Sequence, residues 1–128
     1  MTFDDAVYAQ RLAAGGWFIS VAVADVSLLV TTGSPMDDEA FLRGTSVYLP
    51  DRVIPMLPDR LSGDLCSLRP DVERPAMVVE MTVNEAGDIS KPVLKEAVIK
   101  SHKRLSYDAA TAFFDTPAES ELADEIQT

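Results

Sequence analysis

Two adjacent aspartates, Asp4 and Asp5, stand near the start of this chain at the head of a strand-like segment. Carboxylate oxygens are the ligands that hard cations such as magnesium take, and a pair of such ions serves phosphodiester hydrolysis by activating water and steadying the leaving oxygen. Spacing alone does not build that site. Successive strand side chains point to opposite faces, so neighbouring acids need an irregular backbone or further acids to converge, and the pair by itself reads first as a solvated strand end. Tyr48, in a β-prone stretch, reads by itself as a core residue. Arg43 and Arg52 can neutralise phosphates, or can serve as a helix-end cation and a loop ion pair.

Other reactive side chains carry less. Asp25 ends an apolar run, where a buried acid must be paired or hydrogen-bonded, so a structural role is expected. His102 sits among Ser101, Lys103 and Arg104 with no second histidine and no recognisable nucleophile to serve, which makes it a surface residue. Cys66 is the single cysteine, which excludes an intrachain disulfide and a cysteine-rich zinc site and leaves a small buried apolar residue. Lys95, Lys100, Lys103 and Arg104 form a basic patch or the charged edge of a strand.

The chain has 128 residues, 47% of them hydrophobic and 25% charged, without low-complexity segments or repeats. A chain of that length buries roughly two thirds of its unfolded surface, so it is expected to fold as one domain or one piece of a domain. The net charge is −10, unevenly spread: residues 1–42 carry −5, residues 43–104 carry +1 and residues 105–128 carry −6. Phosphate binding depends on lysine and arginine displacing counterions, so this balance argues against tight RNA binding by the chain alone and leaves room for a role inside a larger RNA-binding protein. The apolar run from Trp17 to Ala24 is too short and, with Ser20, Asp25 and Ser27, too polar for a bilayer span. Acids at the N-terminus are unlike a secretory signal, and a cytoplasmic location is expected.

The elements that would position these residues are legible in outline. Asp4 to Gln10 and Trp17 to Ala24 read as two strands around the Gly15-Gly16 turn. Ser34-Pro35 followed by three acids predicts a short helix through about Arg43, which Gly44 ends. Thr45 to Leu49 is β-prone, and Pro50, Pro55 and Pro58 predict an ordered loop after it. Leu61 to Leu68 reads as a short helix. Ala76 to Val83 and Val93 to Lys100 predict a second hairpin around Gly87-Asp88, and Tyr107 to Phe114 a helix stopped by Pro117. The expected class is α+β, with a mostly antiparallel sheet and a few short helices. The expected organisation is a domain piece over residues 3–115 and an acidic tail over residues 116–128.

A resemblance spans Phe3 to about Tyr107. The segments Phe3 to Val7 (FDDAV), Gly16-Trp17, Val21 to Ser27 (VAVADVS), Arg43 to Pro58 (RGTSVYLPDRVIPMLP), Leu61 to Leu68 (LSGDLCSL) and Arg104 to Tyr107 (RLSY) stand in the order of the signatures of ribonuclease R/II-type (RNB) exoribonucleases. The long central block is specific, because neither helical nor strand periodicity demands it. The chain resembles the front portion of that family's catalytic domain.

This resemblance implies a magnesium-dependent hydrolase that removes nucleotides from the 3′ end of single-stranded RNA and releases nucleoside 5′-monophosphates. It assigns Asp4 and Asp5 to the metal and catalytic acids, and Tyr48 to stacking near the terminal nucleotide. Arg43 and Arg52 flank the tyrosine as RNA-contacting candidates. The family motif has two further aspartates. One falls where this chain has Thr2 and the other falls before Met1, and the family's later arginine and acids are also absent from this chain. The expected result is a fragment with little turnover alone, awaiting the missing part of its catalytic domain or another chain. The alternative is a noncatalytic RNA-binding or assembly module on the same scaffold.

Overall fold

Gly15 and Gly16 let the chain reverse between β1 (Asp5–Arg11) and β2 (Trp17–Ala24). The turn is closed by Leu12 N–H to Gly16 O and Gly15 N–H to Leu12 O, both 3.0 Å. The computed structural model describes residues 3–90 and 92–115. The expected acidic tail, the Pro117 stop and Thr2 lie outside the described residues.

β5 (Glu73–Val83) pairs antiparallel with β2 on one side and with β6 (Val93–Lys100) on the other, giving a four-stranded sheet in the order β1-β2-β5-β6. Its hairpin with β6 is turned by Asn84, whose side-chain oxygen accepts from the N–H groups of Ala86 and Asp88. β5 starts earlier than the sequence suggests, because Pro75 lies inside it. A strand residue points its N–H and C=O to the same neighbour. The Pro75 carbonyl accepts from Asp25 N–H at 3.1 Å, so its missing donor falls just past the end of β2 and disrupts no ladder bond there.

The two faces of the sheet differ. Ala22 and Ala24 of β2 and Ala76 and Val78 of β5 form a shallow floor against which Leu61, Cys66 and Leu68 are buried. Small side chains on that floor let the irregular segment between Leu57 and Leu68 approach closely. On the opposite face Val7, Val23, Leu94 and Val98 remain exposed. Strand alternation places them together, so much of the apolar content forms a surface rather than a core.

Between β2 and β5 runs the irregular half of the α+β fold. A 3₁₀ turn, Val26–Leu28, is capped by Asp25 and leads to α1 (Pro35–Arg43). Ser34 caps α1 through its hydroxyl, which accepts from Asp37 N–H at 3.2 Å, and Gly44 closes it in the left-handed conformation at φ 71°. Ser34→Ala is expected to cost about 1 kcal/mol, read as a lower urea midpoint with an unchanged slope.

The stretch expected to be a plain proline loop contains a small hairpin of β3 (Val47–Tyr48) and β4 (Val53–Ile54). Pro50 and Pro55 stand just outside its paired residues, where a missing N–H disrupts no ladder. The helix expected over Leu61 to Leu68 is a single π-helical turn, Leu61–Leu65, closed by Cys66 N–H to Leu61 O at 2.8 Å. Beyond it the backbone is turned away so that Leu68 N–H can reach Phe3 O at 2.7 Å. The final helix, α2 (Tyr107–Asp115), follows the expected pattern.

Candidate functional site

Asp4 and Asp5 stand where β1 begins. Ala24 N–H donates to Asp4 O at 3.0 Å, and Asp5 pairs with Val23. Alternation puts the Asp4 side chain on the packed face with Ala6 and the Asp5 side chain on the open face with Val7, so the two carboxylates flank one strand terminus. Partial desolvation, and then the charge of Asp5, hold the Asp4 carboxyl above its ordinary range although the residue is largely exposed. Burial, followed by the charges of Asp4 and Asp25 and opposed by Arg74, also pushes the Cys66 thiol up. Cys66 is buried in the core cluster on the face that Asp4 shares, in line with its expected packing role.

Adjacent carboxylates are suited to a divalent cation, and the charge of Asp5 adds to the cost of ionising Asp4. Magnesium binds through one or two carboxylates while keeping several waters, so the donor type fits. The donor number is smaller than a two-metal site needs: among the described residues no group of three or more histidine, cysteine or acidic side chains converges.

The remaining candidates lie on the α1 side. Tyr48 is 75% exposed on β3, so its ring is presented to solvent rather than packed in a core. Arg43 is held by Glu39 at 2.8 Å and donates to Pro55 O at 3.0 Å, tying the end of α1 to the segment after β4. It lines an open groove of about 350 Å³ together with Pro35, Met36, Glu39, Met56 and Leu57, a groove that includes neither Asp4 nor Asp5. The side chain of Arg52 has no ion pair among the described residues. No hydrogen bond or ion pair among the described residues joins these three to Asp4 and Asp5. The connection is through the core: Leu57 and Ala6 of β1 each pack against the buried cluster that contains Leu61.

Asp25 is 5% exposed and accepts from both the N–H and the hydroxyl of Ser27, which accounts for the buried acid structurally. His102 is exposed. Lys95 pairs with Glu80 across the sheet, and Lys100 sits on the same edge strand, β6. Sequence reasoning did not find Ser67, which is completely buried and accepts from Phe3 N–H at 3.0 Å. Nor did it find Arg74, which joins Ser67 to Asp64.

The RNB domain family model matches residues 1–128. The chain belongs to the RNB domain family. Ribonuclease R of Vibrio parahaemolyticus is 47% identical over 125 residues, covering 98% of this chain and 15% of that protein. Ribonuclease R of Escherichia coli K12 is 54% identical over 105 residues, covering 82% of this chain and 13% of that protein. The RNB chain thus spans about one seventh of the length of these curated relatives.

Among solved structures, Mycoplasma genitalium RNase R in complex with double-stranded RNA superimposes with a TM-score of 0.86 at 37% identity, covering 92% of this chain and 21% of that one. Yeast Ssd1, a pseudonuclease, shares the RNB fold with a TM-score of 0.81 at 23% identity. The antiparallel α+β arrangement is accordingly that of the RNase R domain. Among the described residues no helix is long and apolar enough to cross a membrane.

Proposed function

We propose that this chain is a portion of a magnesium-dependent 3′-to-5′ exoribonuclease that hydrolyses single-stranded RNA to nucleoside 5′-monophosphates, and that the portion has little turnover alone. The observation that carries the reading is the acidic pair at the β1 terminus, set in a chain of the RNB family. Asp4 and Asp5, flanking the strand terminus, would offer carboxylate oxygens to the cation together with acids from further segments. When bound, it supplies Lewis-acid activation of water and of the scissile phosphate. Tyr48 offers an exposed ring on which a terminal base stacks, an interaction worth about 1–3 kcal/mol and indifferent to sequence. Arg52 provides a cation beside it, and Arg43 fixes the hairpin that carries both.

The incomplete donor set supports the second half of the proposal. Phosphodiester hydrolysis through two metal ions draws on more acids than this pair, and removing one charge-stabilising group commonly costs about 3–4 kcal/mol in the transition state. The uncovered sheet face fits the same reading, in which further polypeptide of the catalytic domain lies against it. Interaction with RNA is supported by the M. genitalium relative, solved with double-stranded RNA and with ribose-methylated single-stranded RNA.

The deciding experiment is degradation of 3′-labelled and 5′-labelled single-stranded RNA by the purified chain, with magnesium and with EDTA, beside Asp5→Asn. The expected result is no mononucleotide release by any sample, with the protein folded. Magnesium-dependent release that Asp5→Asn abolishes would keep the chemistry and overturn the dependence on further segments. A folded chain that neither cleaves nor binds divalent cations would favour the noncatalytic module.

A further inference from the structure

The backbone that delivers Asp4 and Asp5 is held by a network no strand pairing requires. Phe3, the residue before the pair, has both backbone polar groups bonded to one short segment: its N–H donates to Ser67 Oγ at 3.0 Å and its carbonyl accepts from Leu68 N–H at 2.7 Å. β1 is an edge strand, so this is where its leading end finds partners on the side away from the ladder. Ser67 is itself fixed. Its N–H donates to Asp64 O at 3.0 Å, and its carbonyl accepts from Arg74 Nε at 3.3 Å. The other arm of Arg74 reaches Asp64 Oδ1 at 3.0 Å, and Arg69 reaches the same oxygen at 3.3 Å. The Arg104 guanidinium lies 5.1 Å over the Phe3 ring.

From this arrangement we infer that Ser67 is a positioning residue for the acidic pair, with Arg74 as its anchor on the rigid strand β5. The inference rests on the reading of Asp4 and Asp5 as cation ligands. A hydroxyl buried to 0% exposure stabilises the fold best where it meets an otherwise orphaned donor, and here that donor belongs to the residue next to the ligands. Fixing Phe3 N–H and C=O removes the two backbone rotations that would swing Asp4 away from the strand terminus. Arg74 is suited to the anchor because its planar fork presents separate N–H groups to a carbonyl and a carboxylate in one fixed geometry, whereas a lysine's donors all radiate from a single nitrogen.

The test is manganese binding by the purified chain, followed as paramagnetic broadening of backbone amide signals around residues 3–6, with the unfolding transition measured on the same samples. Ser67→Ala is expected to weaken binding about tenfold, the scale on which outer partners tune ligands. Ser34→Ala, which destabilises a distant helix, is expected to leave it unchanged. Arg74→Lys keeps the serine and the charge while losing the fork, so a smaller loss of about threefold is expected; it decides the matter if Ser67→Ala fails to fold. Native affinity in folded Ser67→Ala, or an equal loss in Ser34→Ala, would overturn the positioning role and leave the ligand assignment standing. Binding absent from the unsubstituted chain, or unaltered by Asp5→Asn, would overturn both.

Discussion

Gly16→Ala is expected to destabilise the chain by about 3 kcal/mol or more, a large fraction of what a domain of this size possesses. Gly16 has φ +81°, and a Cβ built there lies 2.3 Å from Val83 O and 2.9 Å from Asn84 Cα. Both obstacles are backbone at the β5 end of the sheet, where Trp17 pairs with Val83, so neither can yield without opening the β2–β5 ladder. Gly33→Ala is the matched comparison. Gly33 has φ +73° but nothing within 4 Å of the added carbon, so it reports conformational cost alone, about 1 kcal/mol. Urea midpoints at a common slope give the comparison, and equal losses at the two glycines would contradict the steric argument.

That pair of glycines also shows where sequence reading works. The Gly15-Gly16 turn, the two hairpins and α1 were legible because each is set by residues a few positions apart: turn glycines, a capping serine before proline, acids in a first helical turn. The π-helical turn at Leu61–Leu65 was not. Its composition suits an ordinary helix, and the departure goes with a long-range tie, since just beyond the turn Leu68 N–H bonds Phe3 O. The β3–β4 hairpin escaped for a related reason, since prolines mark where pairing must stop and say nothing about two-residue pairing between them.

Core and surface were also hard to separate. β2 reads WFISVAVA, apolar on both faces, which in a sequence signals a strand buried on both sides. Only the Ala22 and Ala24 face carries fully buried residues, while on the other face Ile19 and Val21 are half-buried and Trp17 and Val23 are each 46% exposed. Hydrophobic pattern reports what a surface prefers, and the partner that satisfies it need not lie within the same stretch of chain. The candidate site divides in the same way. Asp4 and Asp5 could be picked out by type, but their weight came from resemblance, and the serine that bonds Phe3, the residue before them, is 64 positions from it.

Asp4→Asn is expected to separate stability from function, because the same desolvation and neighbouring charge that suit Asp4 to a cation cost the fold when no cation is bound. The sign follows from the native carboxyl titrating above the ordinary 3.8. In the window above that value the native state binds a proton more readily than the unfolded chain, so stability falls as pH rises through it, and the cost persists at neutral pH. Asparagine carries no charge to desolvate, so without metal Asp4→Asn is expected to unfold at higher urea than the parent at pH 7. That advantage shrinks as the pH drops to the ordinary value and disappears below it, where both side chains are neutral. Cation binding moves the opposite way. Losing a direct ligand should exceed the roughly tenfold effect of an outer partner, and manganese broadening around residues 3–6 should vanish at concentrations that saturate the parent. In the parent, protons compete with the metal at Asp4, so binding should weaken as pH falls through its raised titration. A variant less stable than the parent at neutral pH would show that Asp4 stabilises the strand end, and retained binding would remove it from the ligand set.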